Sequence, residues 1–261
     1  NGSNGSVEIF YNDNNTWTLE HTLSGSYTYS VDIDSSGTRV VAGNSNSLQV
    51  LERNSGSTWN LLGSSISRNA SCFSGGSSFG YKASISADGN RVAGAGSCDS
   101  IVIGSGAGNH GVVEVYEYVN GTGNWQQLGQ SVYGYPNSTS RYISLSGDGN
   151  RFIMGGPSYP NYSNQGIIVL YEYIYGNWTD IGSTGGGGAF GTTTDINYNG
   201  TMFMGGGQSG NSGTGSKVFK LYSGCSSGCA DSLALNYDAN ALIDDGSCII
   251  PFSNLPDSIS A

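Results

Sequence analysis

The chain has 261 residues, 43 of them glycine, with 11% charged side chains and a formal charge of −10. Nine Lys and Arg leave no basic footprint, which excludes a nucleic-acid partner and argues against an anionic membrane surface. Four Trp, 17 Tyr and many short apolar runs exclude disorder, and no run reaches the length of a transmembrane helix.

The expected elements are strands from end to end. "VEIFY" at 7–11 and "WTLE" at 17–20 open the chain, after a start, "NGSNGS", that reads as a mature or truncated product. Then one phrase recurs four times: "VDIDSSGTRVVAG" at 31–43, "SISADGNRVAGAG" at 84–96, "SLSGDGNRFIMGG" at 144–156 and "TDINYNGTMFMGG" at 194–206. The copies align on Gly37, Gly89, Gly149 and Gly200, at spacings of 52, 60 and 51 residues. Each copy predicts a hairpin, because Asp-Gly, Asn-Gly and Ser-Gly supply the positive φ angles of tight two-residue turns. A third strand follows each copy: "LQVLER" at 48–53, "GVVEVYEY" at 111–118, "GIIVLYEY" at 166–173 and "SKVFKLY" at 216–222. A fourth, opened by Trp, follows in three units: "WNLLG" at 59–63, "WQQLG" at 125–129 and "WTDIG" at 178–182.

Four antiparallel strands per unit cannot bury both faces of their sheet alone. Stacking the units around an axis buries them, which predicts an all-β fold, a β-propeller of four or five blades over residues 1–223. A linear solenoid is the alternative, disfavoured because such repeats are usually shorter and mostly parallel or helical. Since the last unit lacks its Trp strand, the simplest closure places "WTLE" on the outside of the final blade.

The cycle S-x-S-x-D-G-N-R-x-x-x-G, then V-x-V-Y-E-Y, then W-x-Q-L-G resembles the FG-GAP-type propeller repeat of secreted microbial proteins, over about residues 7–222. The second and third units match best; Ser36 and Asn199 replace the Asp in the first and fourth. This group is similar in fold to the integrin-type propeller, but the Asp-x-Asp-x-Asp-Gly calcium loops of that propeller are absent, so no propeller metal site is carried over. The resemblance implies an extracellular binding or structural module, usually without catalysis.

Residues 224–249, "GCSSGCADSLALNYDANALIDDGSCI", form a Cys/Asp-rich segment. From Gly228 to Cys248 it resembles a motif found near the C-termini of secreted and surface proteins, and that resemblance implies a Cys229–Cys248 bridge stapling a mini-domain. Asp231, Asp238, Asn240, Asp244 and Asp245 are candidate calcium ligands there, with turn formation by Asp and Asn as the other reading. An EF-hand is excluded, since Leu242 and Ile243 stand where an oxygen ligand and a glycine are required. No other cofactor is expected. Cys72 and Cys98 flank the second hairpin and are expected to pair, which leaves Cys225 free or linked to another chain. Residues 250–261 read as an extended tail or linker.

Nine Asn-X-Ser/Thr sequons, at Asn1, Asn4, Asn14, Asn69, Asn120, Asn137, Asn161, Asn177 and Asn199, are a mild excess over chance and suit a secreted glycoprotein at the cell surface. His21 and His110 have no partner at a catalytic spacing, and "GSTGGGGAFG" at 182–191 lacks the Lys and helix of a phosphate loop. Asp32 and Asp195 share one repeat position, so ring closure would bring two carboxylates together as glycoside hydrolysis requires. The expectation is a non-catalytic structural or adhesive subunit, not an enzyme. It would self-assemble into a fibre by docking its tail, with Ile249, Phe252 and Leu255 as anchors, on a second copy. A carbohydrate-binding propeller and a glycoside hydrolase using Asp32 and Asp195 are the alternatives.

Overall fold

A computed structural model describes residues 6–24, 28–69, 79–99, 109–135, 140–159, 165–207, 217–220, 226–229, 231–237, 241–244 and 247–249. The chain divides into two compact units, Asn1–Val218 and Phe219–Ala261. The first is the propeller. It opens with a hairpin, β1 (Ser6–Asp13) and β2 (Thr16–Ser24). Blade 1 follows as β3 (Thr28–Ile33), β4 (Arg39–Asn44), β5 (Ser47–Arg53) and β6 (Trp59–Leu61), with β7 (Ile66–Ser67) on β5. Blade 2 is β8 (Lys82–Ile85), β9 (Arg91–Asp99), β10 (Asn109–Val119) and β11 (Asn124–Gln127), with β12 (Val132–Tyr133) on β10. Blade 3 is β13 (Tyr142–Leu145), β14 (Arg151–Gly156), β15 (Ile167–Ile174) and β16 (Asn177–Gly185). Blade 4 has three strands, β17 (Thr193–Ile196), β18 (Met202–Gly206) and β19 (Lys217–Lys220).

In the second unit, β20 (Ser226–Gly228) and β21 (Ala241–Asp244) pair in parallel, and Cys229 is disulfide-bonded to Cys248.

Each blade is an antiparallel meander, and the first strands β3, β8, β13 and β17 are successive neighbours. The cores lie between blades. Val41, Leu48 and Val50 of blade 1 pack with Ile85, Val92 and Trp125 of blade 2. Ala93, Val113 and Val115 of blade 2 pack with Leu145, Phe152 and Trp178 of blade 3. The strands alternate because each face meets a different neighbour.

The recurring turn differs from a two-residue hairpin. The Gly89 amide donates to Ser86 O at 2.9 Å, the Ser86 amide to Arg91 O at 2.9 Å, and Gly89 has φ +70° while Asp88 is absent from the left-handed region. A type I′ turn needs positive φ at both central residues. Here a longer loop places only its final glycine there, with Gly37, Gly149 and Gly200 alike at +68°, +69° and +67°. True two-residue turns occur elsewhere, at Asn14-Asn15 (φ 47° and 66°) and Tyr175-Gly176 (φ 50° and 83°).

The repeated glycine has a second use. A Cβ on Gly89 would meet Cδ of Arg39 at 2.6 Å; on Gly149 it would meet Cδ of Arg91 at 2.7 Å, and on Gly200 Cδ of Arg151 at 2.5 Å. The arginine of each blade therefore lies across the turn of the next. Arg39 Nη1 donates to Asn90 Oδ1 at 2.7 Å and Arg91 Nη1 to Asn150 Oδ1 at 2.6 Å, while Arg151 reaches the Gly200 carbonyl at 3.4 Å. Within its own blade each arginine pairs with a third-strand glutamate: Arg39–Glu52, Arg91–Glu117 and Arg151–Glu172. In the opposite direction, Trp125 Nε1 donates to Leu62 O at 2.8 Å and Trp178 Nε1 to Leu128 O at 2.7 Å.

The opening hairpin is a correction. Strand β2, which contains "WTLE", pairs with β1, and among the described residues it does not pair with blade 4. The Asn14-Asn15 turn closes this pair locally, at far lower entropic cost than a pairing across most of the chain. The hairpin packs on blade 1 through Val7, Ile9 and Leu23 against Val40, Leu51 and Trp59. Glu20 accepts from Arg53 Nη2 at 2.6 Å and from Trp59 Nε1 at 3.1 Å.

Candidate functional site

The first strands of all four blades and β1 surround an open cavity of about 660 Å³. Its wall carries Glu8, Thr28, Tyr29, Ser30, Asp32, Lys82, Ser84, Ser144 and Asp195. Residues of β1 and of all four first strands line it, so three carboxylates, a lysine and several hydroxyls from different blades face one space.

The two aspartates differ in what they do. Asp32 is filled: Oδ1 accepts the Ile33 amide at 2.9 Å, and Oδ2 accepts Ser84 Oγ at 3.0 Å and the Ile85 amide at 2.9 Å. It ties blade 1 to blade 2, and Ser84 Oγ in turn accepts the Leu145 amide of blade 3 at 3.1 Å. Asp195 uses Oδ1 for the Ile196 amide at 2.9 Å and Ser144 Oγ at 3.4 Å, which leaves Oδ2 without a donor among the described residues. The two do not form an acid pair of equivalent groups, because Asp32 holds two blades together. Lys82 has no carboxylate within 4.0 Å among the described residues. Sequence reading missed Lys82 and Glu8. The available signal was that Lys82, one of only nine cations, stands two residues before Ser84 of the repeat.

A second polar cluster lies inside blade 2. Glu114 is fully buried; Oε1 accepts Ser131 Oγ at 2.5 Å, and Oε2 accepts the Asn69 amide at 2.9 Å and Tyr116 Oη at 2.8 Å. Burial, aided by the Glu114 charge, pushes the Tyr116 phenol far above its ordinary value. His110 is buried, with Nδ1 3.0 Å from Gly134 O. His21 lies in β2, opposite Ile9.

Among the sequons, Asn14, Asn120, Asn177 and Asn199 are exposed in or beside turns. Asn69 is exposed too, but its Nδ2 donates to Gln127 Oε1 at 2.7 Å. Asn1, Asn4, Asn137 and Asn161 lie outside the described residues, as do Cys72 and Cys225. Cys98 is buried and disulfide-bonded. Of the proposed calcium ligands, Asp231 accepts the Leu233 amide at 2.9 Å, Asp244 lies in β21, and Asp238, Asn240 and Asp245 fall outside the described residues. No group of three His, Cys, Asp or Glu among the described residues is placed to hold a metal ion. Of the tail anchors, Ile249 is exposed and bonded to Asn236, and Phe252 and Leu255 are outside the described residues. No helix among the described residues is long and apolar enough to cross a membrane.

No family model matches the sequence, and no curated protein matches it. Solved structures do match the fold. A protein from Lactobacillus plantarum aligns with a TM-score of 0.54 at 17% identity, over 79% of this chain and 58% of its own. A putative 6-phosphogluconolactonase from Bacteroides fragilis aligns at 0.53 and 13% identity, over 82% and 60%. The periplasmic gluconolactonase of Pseudomonas aeruginosa aligns at 0.52 and 13% identity, over 79% and 58%. The chain thus spans about 58–60% of the length of these neighbours, and the likeness establishes a β-propeller. The expectation of a non-catalytic adhesive subunit is corrected by the names of two of these similar propellers, which are called lactonases. Asp32 and Asp195, the pair of the glycoside-hydrolase alternative, both line the cavity, with both oxygens of Asp32 accepting hydrogen bonds.

Proposed function

We propose that the chain is a hydrolase that opens a small cyclic sugar ester in the central cavity. The observation that carries this reading is one cavity holding both a carboxylate oxygen without a donor, Asp195 Oδ2, and an ammonium without a carboxylate, Lys82. Ester opening asks for a base to activate water and a cation to receive the charge that develops on the carbonyl oxygen. Water attacks the carbonyl carbon while its proton passes to Asp195 Oδ2. The carbonyl electron pair moves onto oxygen beside Lys82. As the intermediate collapses, the bond to the ring oxygen breaks, that oxygen takes the proton back from Asp195, and a hydroxy acid leaves. The hydroxyls of Ser30, Ser144 and Thr28 suit the hydroxyls of a sugar. The neighbours named as lactonases support the same reaction class.

The Cys229–Cys248 disulfide and the bonded Cys98 support an oxidising compartment, and one similar enzyme is named periplasmic. The exposed sequons Asn14, Asn120, Asn177 and Asn199 support glycan attachment in such a setting.

Acid release from a panel of sugar lactones tests the proposal. The protein should accelerate opening of at least one of them above the buffer rate, and Asp195→Asn should lower kcat by about 100-fold, the lower range for losing a general base. No acceleration by the native chain, or an Asp195→Asn variant as fast as the native chain, overturns it.

A further inference from the structure

Of the six arginines, Arg39, Arg53, Arg91 and Arg151 each hold a glutamate. Arg68 and Arg141 have no carboxylate within 4.0 Å among the described residues, and both anchor on Ser97. Arg68 Nη1 donates to its carbonyl at 3.3 Å, and Arg141 Nη1 to its hydroxyl at 3.2 Å. The Arg141 guanidinium carbon lies 4.1 Å from the Tyr81 ring centroid, and its buried Nε has no acceptor among the described residues. Tyr81 stands in the middle of an aromatic row, 6.0 Å from Tyr29 and 6.0 Å edge-on to Tyr142. Tyr29 lines the central cavity, and Lys82, next in sequence to Tyr81, lines it too.

Arg141, just before the first strand of blade 3, thus bonds Ser97 of blade 2 and lies on Tyr81, in an aromatic row whose Tyr29 lines the cavity. A guanidinium stacked on a ring keeps its N–H edge in plane for a bidentate acceptor. Ring faces suit the apolar C–H face of a sugar, and phenol hydroxyls suit its hydroxyls.

We infer that Arg141 and the Tyr29–Tyr81–Tyr142 row form a subsite for a carboxylated sugar, with Arg141 holding the carboxylate. The subsite borders the cavity of the proposed hydrolase, but the inference needs no turnover. It is tested with sugars that contain no ester, so its failure is separate from failure of the reaction.

Titration calorimetry of the full chain with glucuronate, glucose and glucose 6-phosphate decides it. Glucuronate should bind at least about tenfold more tightly than glucose, as one charge-assisted contact allows, and should weaken as salt rises. Arg141→Gln should remove that preference and leave glucose unchanged, and Arg141→Lys should restore part of it. Tyr29→Ala, at an exposed ring whose loss the fold tolerates, should weaken both sugars. Equal binding of glucuronate and glucose, or no binding of either, overturns the subsite. So does a preference that survives Arg141→Gln or Tyr29→Ala. Tighter binding of glucose 6-phosphate than of glucuronate overturns the carboxylate assignment.

Discussion

Arg91 of blade 2 reaches Asn150 of blade 3, with Nη1 2.6 Å from Oδ1, while its stem lies where a side chain on Gly149 would have to be. The same Nη1 donates to the Gly149 carbonyl at 3.1 Å. The ion pair with Glu117 is half open to solvent and contributes little by itself. The bonds across the blade junction are the larger share. Replacing Arg91 by Met should therefore lower unfolding free energy by about 1–3 kcal/mol, and Gly149→Ala by at least as much through positive φ and the clash. Urea unfolding measures both.

The turns of blades 1 and 2 hold the same shape with exchanged side chains. In blade 2, Ser86 Oγ donates to Asp88 at 2.6 Å and accepts the Arg91 amide. In blade 1, Asp34 accepts the Thr38 and Arg39 amides at 2.8 Å each, and Ser36 Oγ donates to it at 2.5 Å. Asp34→Ser alone should cost about 1–2 kcal/mol. The double change Asp34→Ser with Ser36→Asp should recover most of it, and a double-mutant cycle that shows simple additivity refutes the exchange.

The junctions of blades 1–2 and 2–3 also have a tryptophan bond to the preceding blade. Trp125→Phe keeps most of the buried ring but strips the donor from Leu62 O, so about 1–2 kcal/mol should be lost. Trp125→Ala should cost about 3–5 kcal/mol, because the ring fills the junction. Equal losses for the two variants would show that the bond, and not the ring, dominates.

The opening hairpin should respond to acid. The hydrogen bond from Arg53 holds the Glu20 carboxyl below its ordinary value of about 4.5; burial opposes this, and the Trp59 bond adds to it. A lowered folded pKa means that the interaction stabilises fully above the unfolded value and is lost as pH falls through the folded one. Protection of the β1–β2 amides relative to their intrinsic exchange rates should fall below about pH 4.5, ahead of the blades. In Glu20→Gln that pH-dependent fall should vanish.

Local chemistry was legible in the sequence. Alternation, turn glycines and Trp-led runs located the strands because those signals act within a few residues. The junction was less so. Arg91 and Asn150 are 59 residues apart, so the reason for writing Asn-Arg after Gly89 and Gly149 appears only when the arginine of one blade lies across the turn of the next. The first and fourth copies looked degraded, yet Asp34 and Asn197 carry the same amides that Ser86 does. Asp32 was readable as a carboxylate but not as a tie between blades, since Ser84 is its partner only in space. Lys82 gave no periodic signal, because Ser30 and Tyr142 stand at its position in the neighbouring copies.

In blade 2 three alanines lie on the first two strands and a tryptophan on the fourth. Ala83, Ala93 and Ala95 line the first and second strands, a Cβ on Gly43 would collide with the Gly80 backbone, and Trp125 and Trp178 fill the outer strands. Blades are thus wedges whose taper is written in residue volume, and taper sets the angle through which one sheet turns to meet the next. How many such sheets complete a circle is then a sum of angles. Bulk added at Gly43 or Ala93 should open the pitch into a wider ring, whereas bulk removed at the tryptophans would slacken the rim and leave the axis as it is.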